Sequence, residues 1–274
     1  MVFVDVMWSD EFRNEVHRPI EDGLVVIVDT FRATATVPVS MCAGVKTLVV
    51  LKDTSAARKI KSENPSAILA GEKGGLLLPG FDVGNSPYGI RELMKDAKNK
   101  GRMLILNTGN FSRVLEESIS LVDGSVICGG VVNRKYMVEY IKKKIKSFKS
   151  IIFIATGTYY MEGETYTTPL RTAEDLLGCL SILDGLIKAG LHLNLNERAQ
   201  NYLDDHEDAL QSDESLVNSL LHTHYAKYLL KIDRETGTTI NRDDINVCIE
   251  LDSCNVVPLA VKMNGFLEFT QARF

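Results

Sequence analysis

Leu24-Val25-Val26-Ile27-Val28-Asp29-Thr30-Phe31-Arg32 is the stretch on which the fold reading turns. Five apolar residues, four of them β-branched, give way at once to an aspartate, a threonine and an arginine. A short apolar run of this kind reads as a buried strand, and the polar residues then lie just beyond its carboxyl end. The same order recurs at 47–51, 67–70, 103–106, 125–128 and 151–155. Helical patterns fill the intervals at 53–62, 87–98, 111–118 and 134–148, with Asp53 and Asn133 as N-caps and Gly44 as a C-cap. Pro38 either delays the helix between the first two strands to near Thr36 or kinks it. Strands alternating with helices at this spacing imply right-handed crossovers. The expected class is α/β, three layers α/β/α around a mostly parallel or mixed sheet.

Beyond residue 170 the pattern turns helical, at 172–188, 196–210 and 215–230, with no strand expected before 256–261 and 266–269. This reads as a helical insertion in the C-terminal half of a single domain, 1–274. A β-run followed by a glycine-bearing loop opens both halves, so two pseudo-similar halves near 1–150 and 151–274 are an option.

The 274 residues suffice for a sizeable core, and 45% hydrophobic with 24% charged residues is ordinary for a globular protein. A net charge of −5 argues against nucleic acid as a partner. Lys142, Lys143, Lys144, Lys146 and Lys149 fall late in a predicted helix, where they face solvent and complement its dipole. Five scattered cysteines without C-x-x-C spacing suggest reduced thiols in the cytoplasm. Residues 1–10 lack a signal-type apolar core, and no apolar run approaches the roughly 20 residues needed to span a bilayer. The expectation is a soluble cytoplasmic protein with no membrane partner.

Ligands of open α/β sheets bind beyond the carboxyl ends of the strands. There the chain places Asp29, Thr30 and Arg32; Gly71, Glu72 and Lys73; Asn107 to Asn110 with Arg113; Gly129, Gly130 and Asn133; and Thr156, Gly157 and Thr158. Glu174 and Asp175 open a long helix. Each cluster alone has a plain structural role: Asp29 as a cap, Arg32 in a surface ion pair, Glu174 as a complement to the helix N-terminus. Together they are expected to converge on one mouth of one sheet. Carboxylates for a hard cation, with arginines and backbone N–H groups, suit a phosphorylated substrate. The glycine-rich loop from Gly71 to Pro87 belongs to this set, with Glu72 and Asp82 as candidates to face a metal and Asn85 and Ser86 as donors. No G-x-x-x-x-G-K-[ST], G-x-G-x-x-G after a strand, or G-x-S-x-G is present. His222 and His224, two apart, cannot share a helix face, which disfavours a zinc site.

Six blocks carry a resemblance: V-V-I-V-D-T-F-R-A-T (25–34), L-A-G-E-K-G-G (69–75), P-G-F-D-V-G-N-S-P (79–87), N-T-G-N-F-S-R (107–113), A-E-D-L-L-G-C (173–179) and D-S-C-N-V-V-P (252–258). In this order, over nearly the whole chain, they resemble the 2-phosphosulfolactate phosphatase family. The resemblance implies an α/β/α fold and a Mg²⁺-dependent acid phosphatase that converts 2-phospho-3-sulfolactate to 3-sulfolactate in coenzyme M biosynthesis. One departure is Phe111, where the family usually has glycine; a bulky ring there is expected to reshape the substrate pocket.

The resulting assignment gives catalytic roles to Asp29, Arg32, Glu72 and Glu174. Mg²⁺ falls to Asp29, Glu72 and Asp175, with Glu174 as an alternative ligand or general base. Asn85, Ser86, Asn110, Arg113 and Asn133 are the substrate-binding set, Arg113 joining Arg32 in clamping anionic groups. The nucleophile is either Asp29 or a metal-bound water. Asp29-Thr30-Phe31 lacks the second aspartate of haloacid dehalogenase-type phosphatases, which favours water. Two alternatives stand beside this reading, a phosphatase for another phosphorylated hydroxy acid and a non-catalytic binder of an anionic metabolite. Homo-oligomerisation stays open.

Overall fold

The computed structural model describes residues 1–73, 76–162, 165–238, 240–263 and 265–273. The chain begins β1 (Val2–Trp8), α1 (Ser9–Glu15), β2 (Ile20–Val28), α2 (Ala33–Cys42), β3 (Thr47–Leu51), α3 (Thr54–Glu63), β4 (Ile68–Lys73) and β5 (Leu76–Leu77). It continues α4 (Pro87–Leu93), β6 (Met103–Asn107), α5 (Asn110–Leu121), β7 (Val122–Cys128), α6 (Arg134–Lys144) and β8 (Ser150–Ala155). A hairpin, β9 (Thr158–Glu162) and β10 (Thr165–Leu170), precedes α7 (Ala173–Lys188) and β11 (Leu193–Leu195). Five helices follow, α8 (Glu197–Asp205), α9 (Glu207–Leu210), α10 (Asp213–Leu221), α11 (His224–Thr236) and α12 (Ile240–Cys248), and β12 (Pro258–Met263) and β13 (Phe266–Gln271) close the chain. Among the described residues no helix is long and apolar enough to cross a membrane.

The main sheet runs β11-β1-β8-β2-β7-β12-β13-β3-β6-β4-β5. From β11 to β7 every pairing is parallel, as are β3 with β6 and β6 with β4. Between these blocks the hairpin β12–β13 pairs antiparallel with β7 on one side and β3 on the other. Three successive reversals therefore make the second parallel block run opposite to the first. The expected single mouth is corrected: strand ends of two oppositely directed blocks meet. Arg32, after β2, lies 4.0 Å from Glu72 on β4, and Asn110, after β6, donates to the Gly157 carbonyl, after β8, at 2.5 Å.

Alternation along β2 shows why helices cover both faces. Leu24, Val26 and Val28 pack into one core with Leu180 and Leu183 of α7 and Met137 and Ile141 of α6. Val25 and Ile27 pack into another with Phe111 and Val114 of α5 and Leu104 of β6. A strand with period two that is buried on both sides needs a helical layer on each. The three-layer α/β/α architecture follows.

All eight expected strands are present, and the Asp53 cap accepts from Ala56 N at 2.7 Å. Gly44, at φ +100°, closes α2 in a backbone conformation that side-chain-bearing residues rarely adopt. α2 starts at Ala33, ahead of Thr36, and carries Pro38 inside it. The C-terminal half is more broken than expected. β11 is a strand before 256, α8 and α9 divide 196–210, and Thr223 inserts a helix start within 215–230 by accepting from Ala226 N. β1 was hidden by Asp5 in an otherwise apolar run. That carboxylate is buried because Arg198 Nη2 meets it at 2.7 Å.

Candidate active site

Asp29 follows β2 directly and lies four residues before α2. Its carbonyl accepts from Thr34 N at 2.9 Å, its N–H donates to Thr34 Oγ1 at 2.8 Å, and its Oδ1 accepts from Ala33 N at 3.2 Å. Burial pushes its carboxyl pKa up to about 6, against the bond from Ala33, and neighbouring Glu72 adds to the rise. Arg32, three residues on, is buried. Its Nη1 donates to Asp244 Oδ2 at 2.6 Å and to Asn241 Oδ1 at 3.0 Å, while Nη2 faces Glu72. One end of the fork is thus anchored and the other lies toward the carboxylates.

The N-terminus of α7 supplies two more acids, both buried. Asp175 is a saturated acceptor. Thr30 N at 2.7 Å, Thr156 Oγ1 and Gly157 N at 2.9 Å each, and Thr172 Oγ1 at 3.4 Å all point at it. It ties the segments after β2 and β8 to the helix start, and burial still raises its pKa, with Glu174 adding. Glu174 differs. Burial pushes its pKa up to about 7, with the Asp29 charge contributing, and its Oε2 is a buried oxygen with no hydrogen-bond partner. An orphaned buried acceptor of this kind is costly unless something else satisfies it.

In the loop to α4, Ser86 caps the helix by accepting from Gly89 N at 2.8 Å and donates to Asp244 Oδ1 at 2.6 Å. Ser86 and Arg32 therefore share one buried carboxylate, which also accepts from Tyr88 N at 3.2 Å. Asn85 is buried with Oδ1 unpartnered. Asp82 turns elsewhere: its Oδ2 accepts from Leu69 N at 2.8 Å and Lys61 Nζ at 2.9 Å, pinning the loop to β4 and α3. Asn110 accepts from Arg113 Nη2 at 2.8 Å on Oδ1 as its amide holds Gly157, so the two join β6's end to β8's. Asn133 is fully buried with both ends on backbone, accepting from Gly130 N at 3.0 Å and donating to Val256 O at 2.9 Å. Phe111 is buried and stacks on Phe269 of β13, centroids 6.1 Å apart at 14°, so it fills core beneath the loop rather than the loop's open side.

The sequence profile of the 2-phosphosulpholactate phosphatase family matches residues 12–263. The chain belongs to that family. A probable 2-phosphosulfolactate phosphatase of Thermoplasma acidophilum is 34% identical over 85% of this chain and 84% of its own length. One from Caldanaerobacter subterraneus subsp. tengcongensis is 26% identical over 93% of each chain. With the relative from Carboxydothermus hydrogenoformans the identity is 31%, over 54% of this chain; the match spans a little over half, 57%, of that relative's length.

Within this member of the phosphatase family, five residues near the acids were not foreseen. Asp244 and Asn241 lie three apart on one face of α12, where both meet Arg32. Asp233 holds Asn241 in turn, accepting from its Nδ2 at 2.9 Å. Thr223, its Oγ1 donating to Leu220 O at 2.9 Å, lies beside Glu174, and the part-buried Tyr225 lies among Glu72, Arg32, Asp29 and Glu174, burial and Glu72 driving its phenol pKa upward. The signal for α12 was the apolar spacing Ile240, Ile245, Val247, Cys248 around N-R-D-D. No motif marks Asp244 itself. A surface groove of about 540 Å³ on α6 and α7 contains none of these residues, and its charges neutralise one another, as Arg134 with Asp213 at 2.9 Å and Lys188 with Asp184 at 2.7 Å.

Among the described residues no group of three or more His, Cys, Asp or Glu stands ready to enclose a metal ion. The donors nevertheless suit a hard cation of the Mg²⁺ type, which takes one or two carboxylates and completes its shell with water and phosphate. Asp29 and Glu174 raise each other's cost of ionising, and Glu174 Oε2 lacks a partner.

Proposed function

We propose that the chain is a phosphoric monoester hydrolase that converts 2-phospho-3-sulfolactate and water to 3-sulfolactate and phosphate, in the cytoplasm and in coenzyme M biosynthesis. The observation that carries the reading is the buried Arg32, fixed at one end by Asp244 and set at the other against Glu72 and Asp29, in a chain of this phosphatase family. A buried guanidinium beside ionisable carboxylates recruits an anion and neutralises charge on its oxygens. Five cysteines free of disulfides suit a reducing compartment.

In this reading Asp29 and Glu72 hold Mg²⁺, which when bound supplies charge neutralisation on the phosphoryl oxygens. Asp175, with its four donors, keeps the two loops in place. Arg32 binds the phosphoryl group as charge shifts to its oxygens during in-line displacement. Water is the nucleophile. Its oxygen bonds to phosphorus, its proton passes to Glu174 Oε2, and the bond from phosphorus to the ester oxygen breaks, that oxygen taking a proton from solvent to leave as the hydroxyl of 3-sulfolactate. A carboxylate with a pKa near 7 is matched to that transfer. Asn110 and Arg113 orient the second acidic group, the sulfonate. The test is release of inorganic phosphate from p-nitrophenyl phosphate with Mg²⁺ and with EDTA. Turnover that EDTA abolishes supports the reading, and no turnover in either condition refutes it.

A further inference from the structure

Two thiols meet away from the acid cluster. Cys42 is the last residue of α2 and is exposed; Cys254 follows α12, packed against Val39 and Val247 and only 4% exposed. The Cys254 N–H donates to Val132 O at 2.8 Å, which fixes its backbone. Cys42 Sγ lies 3.5 Å from Asn255 Oδ1, the next residue in the chain, and Cys254 packs on Val39, one helical turn before Cys42, so the two thiols are neighbours. The other three cysteines are buried, and burial holds their thiols protonated and inert. Cys42 goes the other way. The neighbouring Cys254 thiol, helped by the Asn255 backbone N–H and opposed by burial, brings its pKa down to about 7. Exposure, thiolate character and an adjacent second thiol are the three features of an oxidisable cysteine with its resolving partner.

We propose that Cys42 and Cys254 form a peroxide-sensitive pair, with Cys42 oxidised first and Cys254 closing the disulfide. The Cys42 thiolate attacks one oxygen of hydrogen peroxide. An S–O bond forms, the O–O bond breaks, and the departing hydroxide takes a proton to leave as water. Sulfur loses two electrons to the peroxide and stands as a sulfenic acid. Cys254 sulfur then attacks Cys42 sulfur; the S–S bond forms, the S–O bond breaks, and hydroxide leaves as water with the Cys254 proton. In sum two thiols and one peroxide give one disulfide and two waters, and a dithiol reductant reverses it. The bond joins the end of α2, whose start lies beside Arg32, to the segment after α12, which carries Asn241 and Asp244. The pair is independent of what the acid cluster hydrolyses.

The experiment is non-reducing peptide mapping of the full chain after hydrogen peroxide and alkylation. The expected result is one linked pair of peptides, Cys42 to Cys254, that dithiothreitol separates. In Cys254→Ser the Cys42 sulfenic acid persists and is labelled by dimedone, whereas in Cys42→Ser the Cys254 thiol stays reduced. A wild-type chain in which Cys42 passes to sulfinic acid without a link overturns the proposal. So does a disulfide through Cys128, Cys179 or Cys248. The wild-type map decides even where a variant fails to fold.

Discussion

Arg32 meets its neighbours at two ends, and that governs what substitution there does. Lysine has one point of charge and cannot bond Asp244 while also facing Glu72. Arg32→Lys is therefore expected to raise KM and lower kcat together, measured with p-nitrophenyl phosphate. Asp29→Asn keeps size and removes charge; its expected loss is on the order of 10²-fold in kcat, measured on a protein whose circular dichroism is unchanged. The acids also make a pH prediction for the metal-free protein. Asp29 and Glu174 titrate at about 6 and about 7, above their ordinary values of 3.8 and 4.5, so the folded chain keeps protons that the unfolded chain releases. Their contribution to stability is full below the unfolded values and lost as pH rises through about 6 to 7. A cation on Asp29, beside Glu174, offsets part of that loss. Mg²⁺ is expected to raise Tm more at pH 8 than at pH 5, and Asp29→Asn to shrink the difference. An equal rise at both pH values contradicts the metal assignment.

At the scale of elements, the loop before α4 and helix α12 act as one unit through Asp244. Ser86, Tyr88 and Arg32 converge on a carboxylate with no solvent exposure, so leaving any of them unpaired is costly. Asp244→Asn keeps the shape and drops the charge that orients Arg32. The expected outcome is a higher KM for phosphate esters and weaker inorganic phosphate binding by calorimetry, with a smaller change in Tm. Unchanged phosphate affinity with a large Tm loss would make Asp244 a structural residue only. The sequence showed the Arg32 end of this unit, because an apolar strand running into D-T-F-R is a local pattern. It hid the Asp244 end, because a carboxylate 212 residues away reaches Arg32 only through the folded topology. Phe111 belongs to this scale too. Its ring fills the gap between α5 and the closing hairpin, so Phe111→Ala is expected to cost about 3–5 kcal/mol, read as a lower Tm. KM should stay near wild type.

Over the whole molecule, the two parallel blocks run in opposite senses, and the hairpin β12–β13 joins them. The strand-and-helix alternation gave the layers away, since each block is built from local β-α units. Strand order did not follow from it. β8 enters between β1 and β2, and the last two strands sit in the middle of the sheet. Long-range insertions of that sort leave no local periodicity to read. The same topology explains why acids from β2, β4 and α7 become neighbours while being 43 and 102 residues apart along the chain (72 − 29 and 174 − 72).

The central claim is that this cluster hydrolyses a phosphate ester carrying a second, sulfonate anion. The measurement that bears on it most directly is kcat/KM for 2-phospho-3-sulfolactate against phosphorylated hydroxy acids without the sulfonate, in wild type and Arg113→Lys. The account predicts preference for the sulfonate and a narrowed preference in the variant, with p-nitrophenyl phosphate less affected. Equal rates with and without the sulfonate, or equal losses on every ester, would contradict it.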